Sequence, residues 1–253
     1  GRNANSKDAY SRIGCHLLEE GLFEEALQWF ERDLSLSKAS WFQQLRHAEC
    51  LASTGDFTEA ARRVEGVYSK HPEAVNGFAS IAWRLRDSAS LPSPFAYAQK
   101  DVVASRLSAG YMLNVAELAF KEGFEDEALS LVDKAYSLNK SLQDGYARTG
   151  WQKTRRNEWA AAAEIMERDR QANRISPRWQ MELAFAHAKA GDFSSALELV
   201  GDAYAKDTSI KDGFSRIGWL RKDSEGWDKA FETMARDRSH NRISPSWLLN
   251  LAF

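Results

Sequence analysis

The chain has 253 residues and nearly balanced charge, with 34 Lys and Arg against 36 Asp and Glu and a formal net charge of −2 at pH 7. Balanced charge provides no general attraction for polyanions, so the composition argues against a nucleic-acid-binding protein. The sequence contains no apolar run long enough to span a bilayer and no signal-peptide pattern.

The two cysteines, Cys15 and Cys50, both fall in predicted helices. Two lone cysteines favour small half-buried side chains with free thiols over a disulfide. Free thiols are typical of a reducing compartment. We therefore expect a cytoplasmic protein without a disulfide framework.

A four-residue pattern returns along the chain at a constant interval of 68 residues. It consists of Asp or Asn, a small residue, an aromatic residue, and Ser or Ala. Its copies are Asp8-Ala9-Tyr10-Ser11, Asn76-Gly77-Phe78-Ala79, Asp144-Gly145-Tyr146-Ala147 and Asp212-Gly213-Phe214-Ser215. A fixed period over a whole chain indicates stacked structural units.

Each period divides into two units of 34 residues. Steps of 34 from Gly14 meet only Ala or Gly, at Ala48, Ala82, Ala116, Gly150, Ala184, Gly218 and Ala252. Apolar residues at helical spacing surround each of these positions, and a short turn such as Thr54-Gly55-Asp56 separates two helical runs. The spacing therefore predicts pairs of helices that approach closely at small residues.

These units resemble the tetratricopeptide repeat (TPR) family over residues 7–253. The second unit carries the family pattern as Ala48, Leu51, Gly55-Asp56-Phe57, Ala60 and Pro72, the fourth as Val115-Ala116, Gly123-Phe124, Ala128 and Ala135, and the sixth as Leu183-Ala184, Gly191-Asp192-Phe193, Ala196 and Ala203. The resemblance implies an all-α fold, a right-handed α-solenoid (superhelix) of about seven and a half 34-residue helix-turn-helix repeats. Its units would start near residues 7, 41, 75, 109, 143, 177, 211 and 245, after an N-terminal tail at 1–6.

In the third unit, Leu91-Pro92-Ser93-Pro94 interrupts the pattern where the second helix should begin. Proline is tolerated in a first helical turn, so we expect a shifted or shortened helix. A local kink that widens a groove is the alternative. Later, Ser176-Pro177 and Ser244-Pro245 predict a helix with Ser at the N-cap and Pro at the first position. Trp179 and Trp247 follow, and we expect them to pack between neighbouring units.

The odd-numbered units carry an aspartate where the family has its second Ala, at Asp33, Asp101, Asp169 and Asp237. A carboxylate at a packing position is costly unless it is paired. Basic residues recur with the same period, at Lys38, Arg106, Arg174 and Arg242 and at Arg12, Arg148 and Arg216. We therefore expect these aspartates to be structural and to contact a basic residue; a row of ligand-binding carboxylates is the alternative.

No catalytic or metal-binding motif is present in the sequence. The five histidines have no metal-ligand spacing, and there is no phosphate-binding glycine loop or nucleophile elbow. We expect this segment to be non-catalytic and to need no cofactor.

The candidate binding residues are tryptophans that recur one position after the small marker of the odd units, together with nearby basic residues. In the family this side of the first helix faces the concave groove, so the resemblance implies a groove in which Trp offers a flat apolar face and Arg a planar charge. The candidate set is Arg12, Trp83, Arg148, Trp151, Arg155, Arg216, Trp219 and Lys222. The alternative is that each tryptophan stacks on its own arginine and serves only packing.

The function indicated is a non-catalytic scaffold that binds an extended protein segment or organises other domains of its own chain. A first alternative is the repeat arm of a polysaccharide-synthesising or glycan-modifying enzyme, which would guide an anionic glycan. A second is single-stranded RNA binding by base stacking, which the balanced charge disfavours.

Because the sequence starts without Met and stops inside a helical pattern, we expect a fragment of a longer chain. Repeat arrays need polar caps at their ends. Leu248, Leu251 and Phe253 should therefore expose an apolar face, and that face could mediate self-association or be covered by a partner.

Overall fold

The computed structural model describes residues 7–91 and 93–252, and every regular element in these ranges is helical. The α-helices are α1 (Ala9–Glu19), α2 (Phe23–Ser35), α3 (Trp41–Ser53), α4 (Phe57–Lys70), α5 (Gly77–Arg84), α6 (Pro94–Val103), α7 (Ala109–Lys121), α8 (Glu125–Leu138), α9 (Gly145–Gly150), α10 (Trp159–Gln171), α11 (Pro177–Lys189), α12 (Phe193–Lys206), α13 (Gly213–Glu225), α14 (Trp227–Ser239) and α15 (Pro245–Ala252). A 3₁₀ helix, Trp151–Arg156, continues α9. Consecutive helices pack as hairpins, so the predicted all-α class of helix-turn-helix repeats is confirmed.

These helices form two compact units, which we call unit 1 (Gly1–Leu138) and unit 2 (Asn139–Phe253). Unit 1 contains the hairpins from α1 to α8, and unit 2 contains α9 to α15. A single array over 7–253 stays a prediction, and the predicted tail at 1–6 lies outside the described residues.

The small residues mark the places where the two helices of a hairpin touch. A Cβ on Gly14 would lie 3.1 Å from the Ala26 carbonyl oxygen and the Phe30 ring. A Cβ on Gly218 would lie 2.8 Å from the Ala230 carbonyl oxygen. The close approach buries Ala26 and Ala230 completely, which explains why the 34-residue period selects Ala and Gly there.

The four recurring aspartates cap the N-termini of first helices. In unit 2 the carboxylate of Asp237 accepts hydrogen bonds from the Ser215 amide at 2.6 Å, the Phe214 amide at 3.3 Å and the Tyr204 hydroxyl. The equivalent amide bonds join Ser11 to Asp33 at 2.6 Å, Ala79 to Asp101 at 2.8 Å and Ala147 to Asp169 at 2.8 Å. All four aspartates are buried. We call each of these arrangements an aspartate clasp.

A second set of bonds fastens the loop that follows each clasp. Asp212, in the left-handed conformation at φ 61°, donates its amide to the Arg242 carbonyl at 2.8 Å and accepts from the Ser244 amide at 2.6 Å. The same side-chain bond joins Ser40 to Asp8 at 2.6 Å, Ser108 to Asn76 at 2.8 Å and Ser176 to Asp144 at 2.6 Å. The recurring Asp or Asn thus ties the start of one hairpin to the start of the next.

The expected contact between Asp237 and a basic residue is wrong, because helix amides and a tyrosine hydroxyl occupy its carboxylate. The first turn of a helix presents amide groups without helical partners and a partial positive charge, so it stabilises a buried carboxylate without a cation. The basic residue contacts the tyrosine instead. The Arg242 guanidinium lies 4.3 Å from the centre of the Tyr204 ring, and that of Arg106 lies 4.4 Å from Tyr68.

Helix starts follow the sequence prediction. Ser93 caps α6 by accepting the Ala96 amide at 3.1 Å, and Pro94 is the first helical residue. The helix has 10 residues against 13 in α10, so the predicted shortening is confirmed. Ser176 stands at the N-cap of α11 before Pro177, as predicted.

Candidate functional site

Trp151 lies between helices instead of standing free on a surface. Its ring makes edge-to-face contacts with Trp159 and Trp179, both at 6.3 Å between ring centres. All three rings are partly buried against the core of unit 2. The contact with Trp179 joins the α9 hairpin to the α11 hairpin, as we expected for Trp179.

Trp219 repeats this arrangement near the end of unit 2 with more exposure. It contacts Trp227 at 6.0 Å and Trp247 at 6.1 Å, both edge to face, and keeps 39% of its surface exposed. The Lys222 ammonium lies 4.9 Å from the Trp219 ring centre and 2.7 Å from the Asp223 carboxylate. The two tryptophan clusters therefore combine packing with partly accessible aromatic surface.

The predicted basic residues of unit 2 have different environments. Arg216 pairs with Glu182 at 3.2 Å, and its guanidinium lies 4.9 Å from the Phe185 ring centre. Arg155 is exposed in the 3₁₀ helix, and Arg148 is half-buried on α9. The candidate residues of this unit therefore include both neutralised and solvent-facing charges.

In unit 1, the candidate residues Arg12 and Trp83 lie on α1 and α5. Arg12 is exposed, whereas Trp83 is half-buried. The guanidinium of Arg86 lies 4.4 Å from the centre of the Trp83 ring, which is the stacking that the packing alternative expected. Whether this candidate set binds a ligand stays a prediction.

Sequence reasoning missed a four-residue ionic network on the first helices of unit 1. Arg46 bonds Glu49 at 2.7 Å and also Glu19, while Arg84 bonds Glu19 at 3.1 Å and also Glu49. Although burial opposes the effect, hydrogen bonds from Arg84 and Arg46 hold the pKa of Glu19 below its ordinary value. The two carboxylates and two guanidiniums cancel, so this surface is neutral and pre-organised.

A cleft of about 150 Å³ opens beside this network. Its wall residues come from α3, α5, α7 and the loop before α5: Trp41, Phe42, Leu45, Arg46, Glu49, Val75, Asn76, Ser80 and Tyr111. Phe42 is 53% exposed at its mouth. Burial, followed by the charge of Glu49, raises the pKa of Tyr111, so that ring keeps its hydroxyl proton. The cleft thus combines three aromatic rings with an ion-paired arginine.

One sequence signal could have revealed the network. Glu49 occupies, in an even unit, the position that carries tryptophan in the odd units. It is nevertheless 3% exposed, and a buried carboxylate needs either cationic partners or several hydrogen-bond donors. Arg46 and Arg84 meet it from separate helices, and their 38-residue separation follows no repeat period, so spacing could not indicate them.

The structure adds two observations on other kinds of site. No group of three or more His, Cys, Asp or Glu in the described ranges could hold a metal ion. Within the same residues, no helix is both long and apolar enough to cross a bilayer.

The last two helices of unit 2 expose apolar surface, as expected for Leu248 on α15, which is 44% exposed. Trp227 is 50% exposed and stacks on Phe231 at 5.4 Å between ring centres. Phe253 and the side chain of Leu251, which we also expected there, lie outside the described residues.

Comparisons with known proteins support the fold. The chain is similar to the C-terminal part of a TPR repeat-containing protein from Cytophaga hutchinsonii, with 13% identity and a TM-score of 0.52 over 91% of this chain and 80% of that one. A chain of the APC/C hetero-tetramer Cut9–Hcn1 aligns with 15% identity and a TM-score of 0.47 over 99% of this chain, which spans 50% of that one. No family model and no curated protein matches the sequence. The first likeness shows a shared fold, that of helical hairpins of the TPR type.

Proposed function

We propose that the protein is a non-catalytic interaction module that holds an extended protein segment, supplied by a partner or by another domain of its own chain. The observation that carries this proposal is the aromatic cleft on the first helices of unit 1. At about 150 Å³ the cleft is well below the roughly 300–1,000 Å³ typical of small-molecule sites. It fits a single apolar side chain of a longer segment better than a cofactor.

The charges around the cleft favour a protein over an anionic ligand. Arg46 and Arg84 are each held by two carboxylates, and Glu49 between them is buried. An anionic glycan or RNA would have to displace these carboxylates to reach the guanidiniums. An apolar side chain of a protein segment can enter between the rings without breaking an ion pair.

The tryptophan clusters of unit 2 provide a second surface for the same function. Trp219 is partly exposed beside Lys222, and Arg155 faces solvent. Aromatic and arginine side chains are enriched in binding hot spots. We infer that these residues contact a bound segment, while Trp151 joins the α9 and α11 hairpins through its contact with Trp179.

The experiment is a quantitative pull-down from the source cell with the wild-type chain and the double variant Phe42→Ala/Tyr111→Ala. Removal of both cleft rings should reduce capture of bound partners at least about tenfold, since hot-spot truncation typically costs 2 kcal/mol or more. Leu22→Ala is the matched control, because Leu22 is an exposed apolar residue, 47% accessible, away from the cleft. An unchanged partner set for the folded double variant would refute the cleft as the binding site.

We also propose that the structural building block is the 68-residue pair of hairpins rather than the single 34-residue hairpin. The support is the aspartate clasp, which recurs every 68 residues at Asp33, Asp101, Asp169 and Asp237. At Asp101 and Asp237 the clasp also joins one hairpin pair to the next, because the hydroxyl of Tyr68 or Tyr204 in the preceding hairpin donates to the same carboxylate. Deletion of residues 77–144 removes one whole block and should leave a folded chain. Deletion of residues 111–144 removes one hairpin, mismatches the clasp and should lower the melting temperature more, as measured by circular dichroism. Equal melting temperatures would contradict this.

A further inference from the structure

A groove lies between the second helices α6 and α8 of unit 1, away from the first helices that form the cleft. Its volume is about 480 Å³, and an adjoining cavity of about 140 Å³ shares Val102, Leu131 and Lys134 with it. Phe95 and Leu131 form a buried apolar floor, and Val102 is half-buried beside them. The groove is larger than the first-helix cleft and lies beside the shortened helix α6.

The rim of the groove carries charges of opposite sign at its two ends. Asp126 and Glu127 stand in the first turn of α8, and Lys134 stands two turns further along the same helix. In the described part of the chain, none of these three side chains has a hydrogen bond or an ion-pair partner. The rim therefore offers two carboxylates and one ammonium group that are free to bind.

The equivalent surface of unit 2 is closed by ion pairs. Position 102 corresponds to Arg170 after one 68-residue step, and position 130 corresponds to Glu198. Arg170 bonds Glu167 on its own helix at 2.7 Å and approaches Glu198 on α12 at 3.8 Å. The bridge therefore spans the two second helices of that unit.

The equivalent positions of unit 1 carry side chains that cannot form this ion-pair bridge across the groove. Val102 stands in place of the arginine, Ser130 in place of Glu198, and Gln99 in place of Glu167. A half-buried valine beside a buried phenylalanine leaves apolar surface at the positions where unit 2 carries ion pairs. The same hairpin frame thus presents a charged closed surface in one unit and an apolar open groove in the other.

We propose that the α6–α8 groove binds a second protein segment, one with apolar side chains between a basic end and an acidic end. The basic end would lie at Asp126 and Glu127, and the acidic end at Lys134. Eight residues of helix separate these positions, about 12 Å, which a strand of roughly four residues spans. The two carboxylates repel polyanions, so charge complementarity selects a protein segment over a nucleic acid. This groove can bind whether or not the first-helix cleft does.

The test uses a fluorescein-labelled octapeptide with two lysines at one end, two leucines in the middle and one glutamate at the other. It is made in both sequence directions, because the groove does not fix the polarity of the backbone. Fluorescence anisotropy should show saturable binding of one direction to the wild-type chain. The variant Val102→Arg/Ser130→Glu copies the bridge of unit 2 and should bind at least tenfold more weakly.

The matched control is Arg170→Val/Glu198→Ser, which opens the corresponding surface of unit 2 and leaves α6 and α8 unchanged. It should retain at least the wild-type affinity, and circular dichroism should show both double variants folded. A peptide with exchanged charges should bind poorly to the wild type but well to Asp126→Lys/Glu127→Lys/Lys134→Glu. Equal affinity of the bridge variant, or no saturable binding of either peptide by the wild type, would overturn the proposal.

Discussion

Unit 1 and unit 2 share one hairpin frame but fill it differently. In unit 2 the clasp at Asp237 receives two amides and the Tyr204 hydroxyl. Unit 1 contains both forms of the clasp: Asp101 receives the Ala79 amide and the Tyr68 hydroxyl, whereas Asp33 receives the Ser11 amide and its buried Oδ1 has no hydrogen-bond partner in the described structure.

The first residue of the helix that each aspartate caps also differs between the clasps at Asp33 and Asp237. A Cβ on Gly213 would lie 2.7 Å from side-chain carbons of Met181 and Val200 and 2.9 Å from the Tyr204 hydroxyl oxygen, so this crowded position favours glycine. Ala9 takes this position at the first clasp and is exposed. The glycine of the repeated motif is thus needed where side chains of the preceding hairpin pack against the helix start, as at Gly77 and Gly213.

One buried core position carries a polar residue in unit 1 and an apolar residue in unit 2. His47 in unit 1 is 2% exposed, and neither ring nitrogen has a hydrogen-bond partner within the described residues. Four 34-residue steps later, unit 2 places the fully buried Leu183. The frame therefore tolerates the unsatisfied ring nitrogens of His47 and the unsatisfied Oδ1 of Asp33 in unit 1, and the predictions below measure the cost.

The largest effect should come from Asp237→Ala. It leaves two buried amides and a hydroxyl without an acceptor, which should lower the free energy of unfolding by about 3–5 kcal/mol. Asp33→Ala removes a single helix cap and should cost about 1–2 kcal/mol. Urea denaturation of both variants measures the difference, and equal costs would show that the tyrosine adds nothing to the clasp.

The second-largest effect on stability should come from His47→Leu, which introduces into unit 1 the leucine that unit 2 has at Leu183. Burial, followed by the positive charge of Arg63, lowers the pKa of His47 to about 4, against the opposite effect of Glu59. A histidine with a lowered folded-state pKa loses its contribution to stability as pH falls from about 6.5 towards 4. The variant should therefore exceed the wild type by about 2.5 kcal/mol at pH 4.5 and by much less at pH 7. Urea midpoints at the two pH values test this; a constant difference would contradict it.

Asp101 should make the free energy of unfolding depend on pH with a sign opposite to that of His47. Burial raises its pKa to about 6, although the Tyr68 hydroxyl and the amides of Ala79 and Phe78 act in the lowering direction. A carboxyl with a raised folded-state pKa stabilises fully below about pH 4 and loses that contribution as pH rises through 6. The free energy of unfolding should fall by up to about 3 kcal/mol over this range, and Asp101→Asn should remove that part of the slope. An unaltered slope in the variant would assign the titration to another group.

The smallest effect separates the two tryptophan clusters. Trp151→Ala should cost about 2 kcal/mol, below the 3–5 typical of a fully buried ring, because Trp151 is only half-buried. Trp219→Ala should cost about 1 kcal/mol, because 39% of Trp219 is exposed. Thermal melts compare the two. A larger loss for Trp219 would mean that its cluster, rather than that of Trp151, is the principal packing site.

The sequence by itself determined the helical hairpins, their 34-residue spacing and the small residues at the crossings. These follow from local rules, since helical periodicity, glycine turns and proline at a first position act within a few residues. It also indicated that Asp33, Asp101, Asp169 and Asp237 are structural, because a charge at a packing position needs a partner.

Only the tertiary structure determined which groups bind these aspartates. Asp237 is bound by amides 22 and 23 residues away, which reach it across its own hairpin, and by a tyrosine 33 residues away, a contact that exists only once two hairpins have stacked. The groove between α6 and α8 likewise depends on Val102 and Leu131, which lie on separate helices. Surface shape and ion pairing depend on packing between segments that are distant in the sequence. The repeat spacing therefore gives the two units the same hairpin frame, whereas tertiary packing determines that unit 1 has an open groove where unit 2 has an ion-paired surface.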